Sequence, residues 1–234
     1  MNLRDLHPWN VSVAEAQRIQ EELRARLDLT DTIRLQDIRV VSGVDNAYVR
    51  RDSGTTAYAV VVTLSFPALE VIETVYGSCP VDFPYVPGML TFREGPAVLD
   101  SFRQTTVEPD VVLLDGQGYA HFRRLGLASH LGIILDRPTI GCAKTRLVGR
   151  YEEPAEEFGA HTPLVDKGEI VGAAVRTRPG HKPLFVSPGN HVSAETAVAV
   201  VLACCRNSHF MPEPTRLAHN LVTRHAHPER PTPR

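Results

Sequence analysis

Four apolar residues in a row, Val111-Val112-Leu113-Leu114, run directly into Asp115-Gly116. So short an apolar run, closed by turn residues, is the form of a strand buried on both faces, and such a strand needs helices above and below it. The chain is therefore expected to fold as α/β, with its other segments supplying neighbouring strands and covering helices.

Those segments can be read in order. Ser12 with Glu15 forms a capping box, and Val13, Ala16, Ile19, Leu23 and Leu27 recur at helical spacing, so an amphipathic helix opens the chain. Three β-rich runs follow, over 38–49, 56–66 and 70–78, separated by short connections at Arg51-Asp52-Ser53-Gly54 and Pro67-Ala68. They predict an antiparallel meander. A helical pattern then runs from Arg93 to about Thr106, with Pro96 placed in its first turn. After the buried strand come a helix over 125–135, a strand over 138–142, a late hairpin from 170–175 and 184–186, a Ser193-capped helix through Cys205, and a last helix over 212–223.

Three meandering strands, a crossover helix, a strand, a helix and another strand are the order of a ribonuclease H-like fold: one domain whose mixed sheet is flanked by helices. Its bounds are read as 38–224, with 1–37 a helical segment packed on the core and the proline-bearing 225–234 a frayed tail.

Composition narrows the class. The apolar and charged shares, 43% and 22%, are those of a globular chain with a sizeable core, and no apolar run reaches membrane-spanning length. A cytoplasmic protein with no membrane association and no protein partner is expected. The four cysteines, Cys79, Cys142, Cys204 and Cys205, lack metal-site or disulfide spacing and read as reduced thiols. A net charge of -2 is not that of a strongly basic nucleic-acid binder. Clustered carboxylates offset basic patches, however, and such patches occur at Arg123-Arg124 and from Lys144 through Arg146 to Arg150.

The carboxylates carry the chemistry. Asp45 lies inside the first strand run, where a charge needs a partner or a metal. Asp115 ends the buried strand, which a right-handed crossover would lay parallel to and beside the first. Glu94 begins the helix between them. Three acids that close repel unless a hard divalent cation such as Mg²⁺ or Mn²⁺ neutralises them. Taken singly, Asp45 and Asp115 also read as turn residues and Glu94 as a helix N-terminal charge.

A set of ordered blocks adds to this reading: Gly43-Val44-Asp45, Pro84-Tyr85-Val86-Pro87-Gly88, Phe92-Arg93-Glu94, Asp115-Gly116-Gln117-Gly118, His121-Phe122-Arg123-Arg124, Gly126-Leu127-Ala128-Ser129-His130, Gly141-Cys142-Ala143-Lys144 and Pro214-Thr215-Arg216. In these blocks the chain resembles the endonuclease V family from about residue 40 to residue 220. The resemblance implies a Mg²⁺-dependent endonuclease that recognises hypoxanthine in DNA and hydrolyses the second phosphodiester bond on its 3′ side, leaving 3′-hydroxyl and 5′-phosphate ends. Some relatives prefer inosine in RNA. By the same resemblance Asp45, Glu94 and Asp115 form the metal centre with His219 beside it, and Lys144 meets the scissile phosphate. Tyr85 is the strand-separating wedge, and Gly88, Leu90, Gly116 and Leu147 line the pocket for a flipped base. His121, Arg123 and Arg124 are expected on backbone phosphates. Gln117 stands where many relatives have histidine, and it cannot titrate near neutrality. Rival readings are a related ribonuclease H-like nuclease, which should lack the Tyr85 block, and a non-catalytic lesion-binding module, which should have lost one of the acids or Lys144.

Overall fold

A computed structural model describes the chain except for residues 2, 207–208 and 230–234. Helix α1 (Val13–Arg24) precedes the meander β1 (Val40–Arg51), β2 (Gly54–Ser65) and β3 (Val71–Pro80). Then follow α2 (Thr91–Gln104), β4 (Val111–Leu114), α3 (Leu127–Leu135), β5 (Thr139–Ala143), β6 (His161–Asp166), β7 (Glu169–Val175), β8 (Leu184–Asn190), α4 (Ala194–Ala203) and α5 (Glu213–Ala226). All eight strands form one sheet in the order β3-β2-β1-β4-β5-β8-β7-β6. β1, β4 and β5 run parallel, and the remaining pairings are antiparallel.

β4 behaves as its sequence demands. Val111 and Leu113 enter one apolar layer with Val201, Ala218 and Val222 from α4 and α5, whereas Val112 and Leu114 enter the opposite layer with Val98, Phe102 and Leu131 from α2 and α3. All four strand residues are fully buried. α1 lies outside this sandwich, where Ala16, Ile19 and Leu23 join Phe92, Leu125 and Ile133 in a further cluster.

The structure departs from expectation at three places. α2 starts at Thr91, so Pro96 falls in the second turn and its missing N–H removes a helical bond there. The neighbouring Gly95 admits the Trp9 ring, which a Cβ would approach to 2.7 Å. β6 was unanticipated because Pro163 and its polar neighbours break the apolar alternation, features tolerated at a sheet edge. Through β8, which pairs with both β5 and β7, the late hairpin joins the main sheet. Finally, His225 and Ala226 are helical, with His225 stacked on Tyr76 at 4.5 Å between ring centroids, while 230–234 of the expected tail lie outside the described residues. The four cysteines are free, and burial pushes the Cys205 thiol up to about 12. Among the described residues no helix is long and apolar enough to cross a membrane.

Candidate metal centre and adjoining cleft

The parallel pairing of β1 and β4 brings two aspartates together: Asp115 N–H donates to Val44 O at 3.1 Å, one residue from Asp45. A third group arrives from α5. Gly43 lets that helix approach β1 so closely that a Cβ would sit 2.1 Å from the Pro214 carbonyl carbon. One turn beyond Pro214-Thr215, His219 reaches Asp45, with Nδ1 to Oδ2 at 2.7 Å. Asp45, Asp115 and His219 each offer a ligand atom within 4.8 Å of the others, a donor set that fits a divalent cation. Lys144, just past the end of β5, donates from Nζ to Asp115 Oδ2 at 2.5 Å.

Glu94 stands beside this trio rather than in it. Its side chain is buried in the first turn of α2 and accepts a hydrogen bond from the Tyr48 hydroxyl at 3.0 Å. Burial above all, with the charges of Asp45 and Asp115, pushes its carboxyl up to about 8 against the Tyr48 hydrogen bond. Asp115 is pushed up as well, by burial and then by Asp45, with Lys144 opposing. A pocket that raises its own carboxyl groups is short of positive charge, as a cation site should be when the cation is not counted.

A cleft of about 500 Å³ adjoins the centre and is walled by Asp115, Gly116, Gln117, Lys144 and Leu147 on one side of the sequence and by Tyr85, Gly88 and Leu90 on the other. Leu90 and Leu147 are each 37% exposed and Tyr85 is 76% exposed, so large apolar groups face solvent around it. The Arg93 guanidinium lies 6.0 Å from the Tyr85 ring centroid and 5.3 Å from that of Tyr48, linking the loop to the acidic centre.

The basic turn is more enclosed than an exposed run of basic residues would be. His121 lines the cleft but is buried, and burial with the adjacent Arg123 charge holds its imidazole down at about 4. Arg124 is buried too, paired with Asp166 at 2.8 Å and Glu169 at 2.9 Å, so it anchors the β6–β7 turn instead of facing solvent. Arg123 stands behind the wall, donating to Gly88 O at 3.1 Å and to Gln20 Oε1 at 2.7 Å. Gln117 donates to Thr145 O at 2.8 Å, and its Oε1 is buried without a partner.

Sequence reading missed Tyr48, Arg93 and Gln20 at this site. Gln20 left a signal: Ala16, Ile19, Gln20 and Leu23 are all buried at spacings of three and four, and one of them is polar. A polar residue on the buried stripe has to serve a hydrogen-bonding purpose.

Known proteins share this fold and much of this sequence. The family model described as Endonuclease V matches residues 21–220. An endonuclease V of Roseiflexus sp. (strain RS-1) is 50% identical over 216 residues, 92% of this chain and 94% of that one. The crystal structure of endonuclease V from Bacillus subtilis superposes with a TM-score of 0.91 at 33% identity, covering 95% of each chain. A variant of the Ciona intestinalis enzyme, solved in complex with a 23mer DNA containing an inosine followed by a ribo-adenosine, superposes with a TM-score of 0.79 at 29% identity, covering 93% of this chain and 98% of that one. A family match over most of the chain, a relative half-identical over nearly its whole length and a closely superposable solved structure leave one assignment: this chain belongs to the endonuclease V family.

Proposed function

We propose that the protein recognises hypoxanthine in DNA and hydrolyses the second phosphodiester bond on its 3′ side, leaving 3′-hydroxyl and 5′-phosphate ends, as the first step in repairing deaminated adenine. The observation that carries this reading is the meeting of the Asp45-Asp115-His219 trio and Lys144 with a cleft rimmed by Tyr85, Leu90 and Leu147. Its volume, about 500 Å³, lies in the range of small-molecule sites and accommodates one extruded base. The Ciona relative bound to inosine-containing DNA supports the same substrate class.

Asp45, Asp115 and His219, with Glu94 adjoining, would hold Mg²⁺ or, as a substitute, Mn²⁺. Bound there, the cation supplies an activated water and neutralises phosphate charge. Lys144, already 2.5 Å from Asp115, places its ammonium where the attacked phosphate gains negative charge. Tyr85 offers an aromatic face to the gap left in the stack by the extruded base. Leu90 and Leu147 present apolar surface to that base. Among the described residues the amides of Gly88 and Leu90 donate no hydrogen bond within the protein, which leaves them to the base's carbonyl edge. His121 and Gly116 line the pocket, and Arg123 braces its wall from behind. The reaction belongs in the cytoplasm, where the free thiols stay reduced.

Inosine in RNA is the second reading, favoured by the ribo-adenosine that follows the inosine in the Ciona complex. End-labelled duplex and single-stranded oligonucleotides carrying one deoxyinosine, and matched inosine RNA, decide between them in Mg²⁺. We expect one cut, at the second phosphodiester 3′ to deoxyinosine, and none opposite intact adenine. Equal cutting at unmodified sequences, or binding without cutting, would overturn the proposal.

A further inference from the structure

One carbonyl oxygen in this molecule receives three donors. Gly88 O accepts from Gln20 Nε2 at 3.0 Å, from His121 Nε2 at 2.9 Å and from Arg123 Nη2 at 3.1 Å. The donors are tied to one another: Arg123 Nε donates to Gln20 Oε1 at 2.7 Å, and Arg123 N–H donates to His121 Nδ1 at 3.2 Å. That last bond assigns the tautomer, since an Nδ1 that accepts leaves the imidazole proton on Nε2, where it faces Gly88 O. Gln20 is 1% exposed and spends its second amide hydrogen on Leu125 O at 3.3 Å. Every polar atom of this side chain is thus satisfied between α1 and the two segments that wall the cleft.

From this convergence we infer that Gln20 of α1 is a positioning residue for the base pocket, clamping the Tyr85–Gly88 loop through the Gly88 carbonyl together with Arg123 and His121. The inference rests on the function proposed above and assigns part of its recognition apparatus to a helix outside the sheet sandwich.

The local backbone explains why a clamp is needed. Gly88 has φ +80°, a conformation that favours glycine, and glycine has more backbone freedom to lose on ordering than any other residue. A Cβ at this residue would stand 2.9 Å from the Phe122 ring, 3.2 Å from the Arg123 guanidinium and 3.2 Å from the His121 ring, so Phe122 and two of the three donors close directly over it. Tyr85 at the loop tip is 76% exposed and has little packing of its own to fix it. Holding the loop before a base arrives removes an ordering cost from binding, which is how preorganisation raises affinity. A consequence follows for recognition. A carbonyl with two lone pairs and three donors has no capacity left, so Gly88 can address a base only through its N–H.

The test compares Gln20→Leu with Gln20→Glu. Leucine removes the clamp and the Arg123 partner; glutamate keeps an acceptor for Arg123 but cannot donate to Gly88 O. Two readouts are needed: amide hydrogen exchange across 83–92 in the free protein, with 111–114 of the buried strand as reference, and cleavage of a deoxyinosine duplex over a range of concentrations. We expect both variants to speed exchange in 83–92 about ten-fold with 111–114 unchanged, and to raise the half-saturating duplex concentration about ten-fold with a smaller, about two-fold, loss of maximal rate. Arg123→Met, which has no donor for Gln20 or Gly88, should do the same and serves if either Gln20 variant fails to fold. Parental exchange in Gln20→Glu would show that Gln20 merely seats Arg123; faster exchange everywhere would mean general loosening; faster loop exchange with unaltered half-saturation would disconnect the loop from substrate. Each overturns the inference. If the parent protein shows no preference for deoxyinosine, the functional reading falls, while the exchange data still decide the clamp.

Discussion

Lys144 and His121 show how the same cleft uses a charged and a neutral side chain. In the proposed function the Lys144 ammonium, held by Asp115, meets the phosphate where negative charge develops, so its largest contribution should appear in the transition state. Lys144→Ala is expected to lower the single-turnover rate roughly 10²–10³-fold, the usual cost of removing one such donor, while weakening lesion binding less than about ten-fold. Equal losses in rate and affinity would reduce Lys144 to a backbone contact. His121, by contrast, works uncharged. Its imidazole is held from an ordinary 6.5 down to about 4, first by burial and then by Arg123. Between those values the unfolded chain takes up a proton that the folded chain refuses. Stability from this residue is therefore complete above pH 6.5 and falls as the pH drops, by about 1.4 kcal/mol per unit. His121→Gln keeps a donor for Gly88 O and an acceptor for Arg123 N–H without titrating. Chemical denaturation between pH 4 and 6.5 should show its dependence on pH shallower by about one proton, and an unchanged slope would place the proton elsewhere.

Helix α5 and strand β1 make the metal centre a matter of packing. With a Cβ at Gly43 only 2.1 Å from the Pro214 backbone, Gly43→Ala cannot be absorbed by a side-chain rotation, and one element must move. The movement carries His219 away from Asp45. We expect a loss of about 1–3 kcal/mol in unfolding free energy, as overpacking usually costs, together with a clear loss of divalent-cation affinity in a calorimetric titration. Retention of both would contradict the docking of α5 described above. This contact also marks the limit of what could be read from sequence. The β1–β4 adjacency and the convergence of Asp45 with Asp115 follow from the buried run at 111–114 and crossover handedness, which are local and general. Gly43 reads as one more strand glycine until Pro214, far along the chain, is seen against it. β6 hid behind Pro163, and Gln20 behind the apolar stripe of α1. The pairing of Arg124 with Asp166 and Glu169 involves a turn between two strands, one of which was not foreseen. Glu94 was expected among the ligands and stands beside the trio instead, and its partnership with Tyr48 depends on where β1 and α2 cross, which periodicity does not encode.

A fold that gathers one buried and two half-buried acids around one point is less stable than it would be without them, and the surrounding protein makes up the difference. Glu94 measures that penalty. Its carboxyl is raised from an ordinary 4.5 to about 8, chiefly by burial. The sign is opposite to that of His121: between 4.5 and about 8 the unfolded chain has lost a proton that the folded chain retains, so this contribution is complete below pH 4.5 and is lost as the pH rises through 8. Below pH 6.5 the two residues oppose one another, and above it Glu94 acts without that opposition. In chelator the protein should therefore lose about 2 kcal/mol of stability between pH 6.5 and 8, at about 1.4 kcal/mol per unit. Glu94→Gln should flatten that slope, because a glutamine still accepts from the Tyr48 hydroxyl and carries no charge to bury. Adding Mg²⁺ to the parent should reverse the trend. A cation that binds only the folded chain stabilises by about 2.7 kcal/mol at a hundred times its Kd, and it favours the ionised acids, so the gain should grow with pH. The same addition should stabilise Glu94→Gln less. Unfolding midpoints at four pH values, with chelator and with Mg²⁺, test all of this at once. A flat profile for the parent in chelator, or equal Mg²⁺ gains in parent and variant, would remove Glu94 from the metal centre and leave the aspartates and His219 to hold the ion without it.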